Sequence, residues 1–585
     1  MKILLTTLNS KFVHSNLAIR YLKAFCRELP VDIKIQEFTI NDHLGKVLWQ
    51  IYREKPDVLC FSCYIWNIRE SLMLVDSLKK VLPTCKVVLG GPEVSFDSYR
   101  LMEEYPAIDI IVRGEGEETF YELVKSMIAG ESLDGIKGLS FRDGNDIYEN
   151  EERPTIKDLD NIPFPYDLDE EGYIVGVDNK IIYYETSRGC PFNCQYCLSS
   201  ATSGVRYFSL ERVKKDLETF IKSKIPQVKL VDRTFNCNPS RAMEIFKTIM
   251  DMGGETNFHF EMGGDLIDDE MLKLLEKAPP GLFQFEIGVQ STKEETLEAI
   301  KRKNDFEKLA KAVQALQKGR NIHLHLDLIA GLPEEGYNSF KQSFNDVYKL
   351  KPDRLQLGFL KLLKGSGLRN NASQWDYKYT SYPPYEVLEN RYISYGEILT
   401  LKGIEDLLEK YYNSHRFRYS LDYLVRYFDD NPFKFFESFN RYWEERDYHV
   451  ISHSLIRLYE ILLEFVEQLP NIDKDLLKEI IKFDYVSQGR PGKYPRRLGG
   501  ELPKEIRDKI SLFFKDKKKI ARYLPEYEHL TARQIARTSH IEIFRYDIPE
   551  GIKTGSYKKA DTAVLFDYNL PCKIFERSRW IRIEL

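Results

Sequence analysis

The segment Thr186-Ser187-Arg188-Gly189-Cys190-Pro191-Phe192-Asn193-Cys194-Gln195-Tyr196-Cys197 places three cysteines at C-x3-C-x2-C spacing. It follows an apolar run, Ile181–Thr186, that predicts a buried strand. Three thiolates on such a loop can each bind one iron of a four-iron cubane cluster, which leaves the fourth iron without a protein ligand. Zinc is the alternative, but a structural zinc site needs four ligands, and no second C-x2-C or H-x3-H pair lies nearby. The spacing therefore predicts a [4Fe–4S] cluster held by Cys190, Cys194 and Cys197.

The sequence around this segment, residues 180–374, alternates apolar runs with helical patterns. The runs that predict strands are Ile181–Thr186, Val228–Asp232, Asn257–Met262, Phe283–Val289, Ile322–Leu328 and Arg354–Leu360. Helical patterns such as Leu210–Lys222 and Phe306–Lys318 fill the gaps. Six strand–helix units predict a partial (β/α)6 barrel of the TIM type, with its chemistry at the carboxyl ends of the strands.

Residues 1–150 alternate in the same way. Strands are predicted at Ile3–Leu8, Asp57–Ser62, Val87–Gly90 and Asp109–Val112, and helices at Leu17–Leu29 and Ile68–Leu82. This alternation predicts an α/β, doubly wound (Rossmann-like) domain that binds its ligand at the carboxyl ends of the strands. The Pro-rich residues 151–179 are interpreted as a linker.

Residues 375–585 are rich in Tyr and Phe at helical spacing, which predicts a mainly α-helical C-terminal domain with an aromatic core. Short β-like runs follow near its end, at Ile541–Phe544, Thr562–Phe566 and Trp580–Ile583. A basic stretch around Arg490–Arg522 leaves open a regulator that touches nucleic acid, although acidic residues interrupt it. No catalytic motif is evident in this domain.

Composition sets further limits. The 585 residues are too many for one hydrophobic core, and a formal net charge of −5 gives no general attraction to nucleic acid or membrane. No run of about eighteen apolar residues predicts a transmembrane helix. Nine cysteines, an odd and sparse set, argue against a disulfide framework and favour a reducing cytoplasm.

The central segment resembles the radical SAM superfamily, in which this cysteine spacing has an aromatic residue, here Tyr196, just before the third cysteine. Further similarity lies at Val231–Asn236, Phe258–Met262, Phe285–Ser291 and Ala330–Glu334. The resemblance implies that the open iron takes the amino and carboxylate groups of S-adenosylmethionine (SAM). It also implies that an electron from a flavodoxin or ferredoxin cleaves SAM to a 5′-deoxyadenosyl radical.

Candidate residues of the barrel follow from this resemblance. Glu261, Glu286 and Gln290 are predicted to hydrogen-bond the amino or ribose groups of SAM, and Arg302 its carboxylate. A structural salt bridge is the alternative for each. Glu286 is also a candidate catalytic residue. Cys237 lies five residues beyond Asp232, and it is a candidate radical relay or methyl acceptor, or simply a buried apolar residue.

The first segment resembles the cobalamin-binding domain that precedes many radical SAM barrels. The similarity lies in Phe61–Asn67, Gly90–Val94 and Arg113–Glu117. Glycine at the ends of parallel strands lets a phosphate approach backbone N–H groups. The predicted cobalamin-binding residues are Asn9, Ser62, Cys63, Tyr64, Trp66, Asn67, Gly90, Gly91, Pro92, Glu93, Gly114, Glu115 and Gly116.

One departure from that family concerns cobalt. Domains with a histidine lower ligand use D-x-H-x-x-G after the first strand, and here the loop Lys11–Leu17 contains His14 but lacks the Asp and the Gly. We therefore predict cobalamin bound without a histidine ligand to cobalt, with residues 62–67 near its lower face. A domain kept only as an interface for the barrel is the alternative.

The resemblance to radical SAM proteins with a cobalamin domain and an uncharacterised C-terminal domain implies a reaction. It is methyl transfer from methylcobalamin to an unactivated carbon, with a non-methylating rearrangement or cyclisation as the alternative within the family. A methylthiotransferase is disfavoured, because Cys26, Cys60, Cys63 and Cys85 do not reproduce the second cluster motif of that family. The sequence does not identify the substrate.

Overall fold

A computed structural model describes residues 1–198, 204–499, 502–570 and 577–585; Cys572 lies outside these ranges. The chain forms two compact units. The first comprises residues 1–322, 331–335 and 359–394, and the second comprises residues 323–330, 336–358 and 395–585. The domain boundaries at residues 150, 179 and 374 stay predictions.

The first unit begins with a seven-stranded sheet. Its strands are β1 (Lys2–Asn9), β2 (Asp32–Thr39), β3 (Val58–Ser62), β4 (Lys86–Gly90), β5 (Ile110–Val112), β6 (Leu139–Asp143) and β7 (Asp146–Glu149). The order is β2-β1-β3-β4-β5-β6-β7, with β1 to β5 parallel and the last two strands antiparallel. The helices are α1 (Leu17–Phe25), α2 (Leu44–Glu54), α3 (Ile68–Val81), α4 (Pro92–Ser95), α5 (Ser98–Glu104) and α6 (Gly116–Ala129).

This sheet buries both of its faces. Alternate residues of β1 enter two separate apolar cores: Leu4 and Leu8 belong to one, and Ile3 and Leu5 to the other. That arrangement confirms the predicted doubly wound fold, in which helices cover both faces of a parallel sheet. The analysis of the sequence missed β2, because this edge strand alternates charged with apolar residues and is only half-buried.

The next strands are β8 (Ile182–Tyr184), β9 (Ser187–Cys190), β10 (Gly204–Tyr207), β11 (Gln227–Leu230), β12 (Asn257–Met262) and β13 (Phe283–Gln290). The helices are α7 (Leu210–Lys222), α8 (Pro239–Met252), α9 (Asp269–Leu275), α10 (Glu294–Ala299) and α11 (Phe306–Gly319). In the first unit β8, β11, β12 and β13 pair in parallel in that order, which brings their carboxyl ends to one edge. The β9–β10 hairpin is antiparallel and ends at Cys190. Short elements, α13 (Gly367–Asn370), β16 (Lys378–Tyr379) and β17 (Val387–Glu389), complete the unit.

The second unit contains β14 (His323–Ala330), α12 (Tyr337–Lys349) and β15 (Arg354–Phe359). Its helices are then α14 (Tyr395–Leu407), α15 (Arg418–Tyr427), α16 (Pro432–Glu444), α17 (Leu455–Gln468), α18 (Lys474–Ser487), α19 (Lys504–Lys515), α20 (Lys517–Tyr523), α21 (Ala532–Thr538) and α22 (Ile548–Thr554). An antiparallel sheet follows, with β18 (Ser539–Tyr546), β19 (Lys559–Asp567) and β20 (Arg579–Ile583).

The aromatic residues of this unit form a core, as the helical spacing predicted. Tyr411, Phe417 and Tyr459 are fully buried, and their ring centroids lie 4.3–4.6 Å apart in successive pairs. Within the described ranges, the chain has no helix that is both long enough and apolar enough to cross a membrane.

A buried carboxyl makes the stability of this unit depend on pH. Asp484 on α18 accepts hydrogen bonds from the backbone N–H groups of Tyr419 (3.1 Å) and Ser420 (2.8 Å) and from the Ser420 hydroxyl. Burial nevertheless raises the pKa of Asp484 to about 7. An unfolded Asp titrates near pH 3.9, so the native state keeps a proton that the unfolded chain loses in this interval. The stabilising effect of that proton is complete below about pH 4 and is lost as the pH rises to about 7.

We therefore expect the Asp484 carboxyl to favour the native state more at about pH 5 than at about pH 8. Denaturant midpoints of the wild type and of Asp484→Asn at the two pH values measure this contribution. The shift between them should be smaller in the variant, which has no titrating group at residue 484. An equal shift in both proteins would contradict the assignment.

Candidate active site

The cysteine loop is held on both sides. Cys190 and Cys194 are buried, and Cys197 is partly exposed. The Cys197 N–H donates to the Cys194 carbonyl at 3.0 Å, which closes a tight turn. The Gln195 N–H donates to the Ile300 carbonyl at 2.9 Å, and the Leu368 N–H donates to the Gln195 carbonyl at 2.8 Å. These bonds hold the three thiols on one short, anchored loop.

Arg302 connects this loop to the carboxyl end of β13. Its Nη1 lies 3.1 Å from the Tyr196 hydroxyl and 3.9 Å from Cys194 Sγ, and its Nη2 donates to the Gly288 carbonyl. Burial raises the pKa of the Cys194 thiol, and the guanidinium acts in the opposite direction. In the described part of the chain, Arg302 Nε and Gln290 Oε1 are buried without a hydrogen-bond partner. Two polar atoms thus stay available beside the loop for a polar ligand.

Inside the barrel, Glu286 forms an ion pair with a lysine and contacts a histidine. Its Oε2 lies 2.9 Å from Lys229 Nζ and 3.0 Å from His259 Nε2. Burial opposes the charge on Lys229, but the carboxylates of Glu286 and Glu261 outweigh it and raise the pKa of Lys229. The sequence analysis missed Lys229 and His259. Both lie between apolar residues of predicted strands, so each points to the opposite face of the sheet from its neighbours.

A second group of polar residues lies at the end of β11. Asp232 is buried and accepts hydrogen bonds from the Thr186 N–H (2.9 Å) and hydroxyl (2.7 Å), and from the Ser187 hydroxyl. Cys237 Sγ lies 3.4 Å from the Tyr207 hydroxyl, and burial raises the pKa of Cys237. Asp232 therefore anchors the start of the cysteine hairpin, and Cys237 lies against its second strand.

In the first domain, the predicted ligand Asn67 is fully buried. Its Oδ1 accepts from the Tyr64 N–H at 2.7 Å. Its Nδ2 donates to the carbonyls of Ser62 (3.0 Å) and Leu8 (3.1 Å) and lies 3.3 Å from Thr7 Oγ1. Asn67 therefore ties the ends of β1 and β3 together.

Gly91 follows β4 with a φ of +114°. A Cβ at this position would lie 2.4 Å from the Cys63 carbonyl oxygen, a separation that real Cβ atoms do not show. At Gly90 a Cβ would meet nothing closer than the Val112 carbonyl oxygen at 3.6 Å, an ordinary contact. The sequence suggested that glycine is needed here for the approach of a phosphate. The structure shows that the backbone at Cys63, just after the neighbouring strand β3, already requires glycine at residue 91.

An aromatic pair stands beside these strand ends. The rings of Tyr64 and Trp66 are stacked with centroids 4.5 Å apart and planes 4° apart, and Trp66 is 44% exposed. The Asn16 side-chain amide lies 3.4 Å from the Ser62 hydroxyl. The side-chain amide of Asn9 donates to the His14 carbonyl at 3.0 Å. A flat aromatic surface and a set of hydrogen-bonding groups therefore meet at the carboxyl edge of the sheet.

Two further predicted ligands, Glu93 and Glu115, contact residues beyond the first 150. Glu93, next to Pro92 at the start of α4, accepts a hydrogen bond from the Tyr385 hydroxyl. Glu115, between Gly114 and Gly116, accepts from the Ile156 N–H at 2.9 Å and from Arg206. These two carboxylates therefore link the first domain to later parts of the first unit.

Models of three protein families match the chain in the expected order. A B12 binding domain matches residues 3–124, and the Radical SAM superfamily matches residues 184–347. The chain belongs to the radical SAM proteins with an N-terminal cobalamin-binding domain. The third match, over residues 373–566, is to a protein of unknown function (DUF4080).

Several known proteins resemble this radical SAM enzyme. An uncharacterized methyltransferase of Pyrococcus horikoshii, PH0819, is 28% identical over 418 residues, which are 69% of this chain and 88% of the relative. The cobalamin-dependent radical SAM methyltransferase TokK of Streptomyces tokunonensis is 29% identical over 306 residues, 50% of this chain and 45% of TokK. The solved structure of the cobalamin-dependent radical enzyme OxsB with aqua-cobalamin has a TM-score of 0.59 at 14% identity, and the match covers 85% of this chain and 82% of that one. The last comparison shows the shared fold.

The radical SAM enzyme uses a [4Fe–4S] cluster, SAM and cobalamin, and its residues fit these groups. Three thiols on an anchored loop suit a cluster with one open iron. The buried, unpaired atoms of Arg302 and Gln290 suit the polar groups of SAM. The Tyr64–Trp66 stack, in which Trp66 is exposed, suits the flat ring system of cobalamin.

Proposed function

We propose that this radical SAM enzyme transfers a methyl group to an unactivated carbon atom of its substrate. The observation that carries the proposal is that the cysteine hairpin is bound directly to the cobalamin-binding domain: Arg206 on β10 donates to Glu115 at the start of α6. Two relatives, PH0819 and TokK, carry the name methyltransferase.

The cofactors supply the radical and the methyl group, and the chain supplies orientation and exclusion of water. Per turnover, a substrate C–H becomes C–CH3. One SAM accepts an electron and the hydrogen atom and ends as methionine and 5′-deoxyadenosine. A second SAM gives up its methyl group and ends as S-adenosylhomocysteine, and the donor provides a further electron. We propose a flavodoxin or ferredoxin of low potential as that donor.

The residues near the cysteine loop have distinct proposed roles. Cys190, Cys194 and Cys197 hold the cluster. The free Arg302 Nε and Gln290 Oε1 bind polar groups of SAM, since each is buried and otherwise unsatisfied. Glu286 and Glu261 act through Lys229, whose charge they hold inside the barrel. The alternative role of Glu286 is a structural ion pair with Lys229.

In the first domain, the Tyr64–Trp66 stack and the backbone around Gly91 are proposed to hold cobalamin. His14 lies on the loop after β1, and its Nδ1 is 2.8 Å from the Tyr183 hydroxyl. Burial lowers the pKa of His14, and the charge of Lys11 adds to that effect. This engagement with the barrel favours cobalamin bound without a ligand from His14.

A test of methyl transfer does not require the substrate. The protein is purified without oxygen with hydroxocobalamin supplied, and iron and corrin are counted per chain. The reduced holoenzyme is then incubated with SAM that carries an isotope-labelled methyl group, and the extracted corrin is analysed by mass spectrometry. We expect labelled methyl on the corrin and an equal amount of S-adenosylhomocysteine.

Two results would contradict the proposal. Formation of 5′-deoxyadenosine without label on the corrin would indicate the non-methylating chemistry of the family. Iron without corrin would leave a first domain that serves only as an interface. A protein in which Cys190, Cys194 and Cys197 are alanine is the control, because it retains the cobalamin-binding domain and cannot bind the cluster.

A further inference from the structure

Arg188 lies two residues before the first cluster cysteine, on β9, and its side chain is only 12% exposed. Its guanidinium contacts three carboxylates. Nη2 lies 2.8 Å from Glu185, which stands between β8 and β9, and forms an ion pair with Glu117, and Nη1 lies 3.7 Å from Glu115. One arginine thus joins the cysteine hairpin to two acidic residues of the cobalamin-binding domain.

The hairpin makes this connection twice. Arg206 is the cross-strand neighbour of Arg188, and its Nη1 lies 3.0 Å from Glu115 Oε2 and donates to the Ile156 carbonyl. Arg188 also lies over the ring of Tyr21 on α1, 5.5 Å from its centroid. Helices α1 and α6 both belong to the first domain. The start of α6 therefore holds β9 and β10 through its two carboxylates, and α1 contacts β9 through Tyr21.

The geometry of these pairs resists displacement. A guanidinium that binds carboxylates at several of its nitrogens is fixed in direction as well as in distance. The side chains of Arg188, Glu117 and Glu185 are only 12%, 7% and 13% exposed. Separating such partly buried charges leaves them uncompensated, which is far more costly than losing a surface pair. A shift of the hairpin relative to α6 would separate all of them at once.

We propose that Arg188 is a positioning residue that fixes the cysteine hairpin against the cobalamin-binding domain and thereby sets the distance between the iron–sulfur cluster and cobalt. The contacts that support this role all lie between residues of the chain itself. The proposal rests on the binding of both cofactors and does not require methyl transfer to be the reaction.

The test is Arg188→Gln in the full-length holoenzyme. Pulsed EPR of a sample with the reduced cluster and Co(II) measures the dipolar coupling between the two spins. We expect a single distance distribution in the wild type and a broader or shifted one in Arg188→Gln, with iron and corrin per chain unchanged. Amide hydrogen exchange of the protein without cofactors should rise in residues 187–190 and 115–118. Label transfer to the corrin should fall about tenfold to a hundredfold, as expected for a small misplacement of reacting groups.

Arg153→Gln is the matched control. Arg153 forms ion pairs with Glu118 and Glu122 of the same helix α6 and donates to Thr119 at 2.8 Å. It lies outside the cysteine hairpin, so its loss should leave the spin–spin distance unchanged. If Arg188→Gln does not fold, Glu117→Gln removes one charge with little change of shape and should broaden the same distribution.

An unchanged dipolar coupling in Arg188→Gln or in Glu117→Gln, with both cofactors bound, would overturn the positioning role. Failure of the proposed function would give a different result. The corrin of the wild type would then receive no labelled methyl group, while the dipolar coupling between Co(II) and the reduced cluster would stay intact.

Discussion

Replacing Cys190, Cys194 or Cys197 with alanine should reduce the bound iron from about four atoms per chain to nearly none, while bound corrin stays close to one. Each thiolate holds one corner of the cluster, and no substitute thiolate stands within the turn that Cys194 and Cys197 close. The first domain has its own sheet and two apolar cores, so the loss of the cluster should not unfold it.

Cys237→Ala is the control for this prediction. Cys237 lies 3.4 Å from Tyr207, which is on the cysteine hairpin, and it is therefore in the same neighbourhood as the cluster loop. We expect this variant to keep about four irons per chain. Iron analysis and the optical spectrum of the reconstituted protein provide the measurement. Full iron content in any of the three loop variants, or loss of iron in Cys237→Ala, would contradict the assignment of the ligands.

Gly91→Ala should destabilise the cobalamin-binding domain by about 3 kcal/mol or more and reduce the corrin retained on gel filtration. The φ of +114° is unfavourable for any residue with a Cβ, and the added carbon would lie 2.4 Å from the Cys63 carbonyl oxygen. Relief of that contact requires β3 and β4 to separate, since both groups belong to the backbone.

Gly90→Ala is its matched control, one residue away at the end of the same strand. The new Cβ would make only an ordinary contact of 3.6 Å with Val112. Urea midpoints followed by amide exchange in β3 and β4 should therefore shift much less in Gly90→Ala than in Gly91→Ala. Equal effects of the two substitutions would show that the close approach to Cys63 is not the cause.

The regular parts of the fold could be predicted from sequence because each strand is a local apolar pattern. Strands β3, β4, β12 and β13 differ from their predicted ranges by at most a residue. Edge strand β2 could not be predicted in this way, because the polar residues on its exposed face interrupt the apolar run. The cysteine loop could be predicted because its ligands lie within eight residues of one another.

Ion pairs between residues far apart in the sequence could not be predicted from local patterns. Glu117 and Arg188 are 71 residues apart, and nothing in either local sequence indicates the other. The Gly-Glu-Gly-Glu run leads into helix α6, as a Gly-rich turn after a strand allows, but its carboxylates bind arginines of the hairpin. Asn67 is similar: it was predicted as a cobalamin ligand, and the structure shows its amide shared among backbone groups of β1 and β3.

The buried thiols of the first domain bear on how the protein withstands air. Cys60 and Cys63 are enclosed in the sheet, and burial raises the pKa of both thiols and that of Cys85, the last to about 11. Oxidants and alkylating reagents react with the thiolate, which these residues do not form at neutral pH. Among the described cysteines, Cys197 and Cys237 are partly exposed, so a reagent in solution reaches these two thiols before the buried ones. A preparation that has lost its cluster in air should keep the thiols of its cobalamin-binding domain chemically intact. Treatment with a strong thiol reductant, followed by anaerobic reconstitution, should therefore restore the cluster.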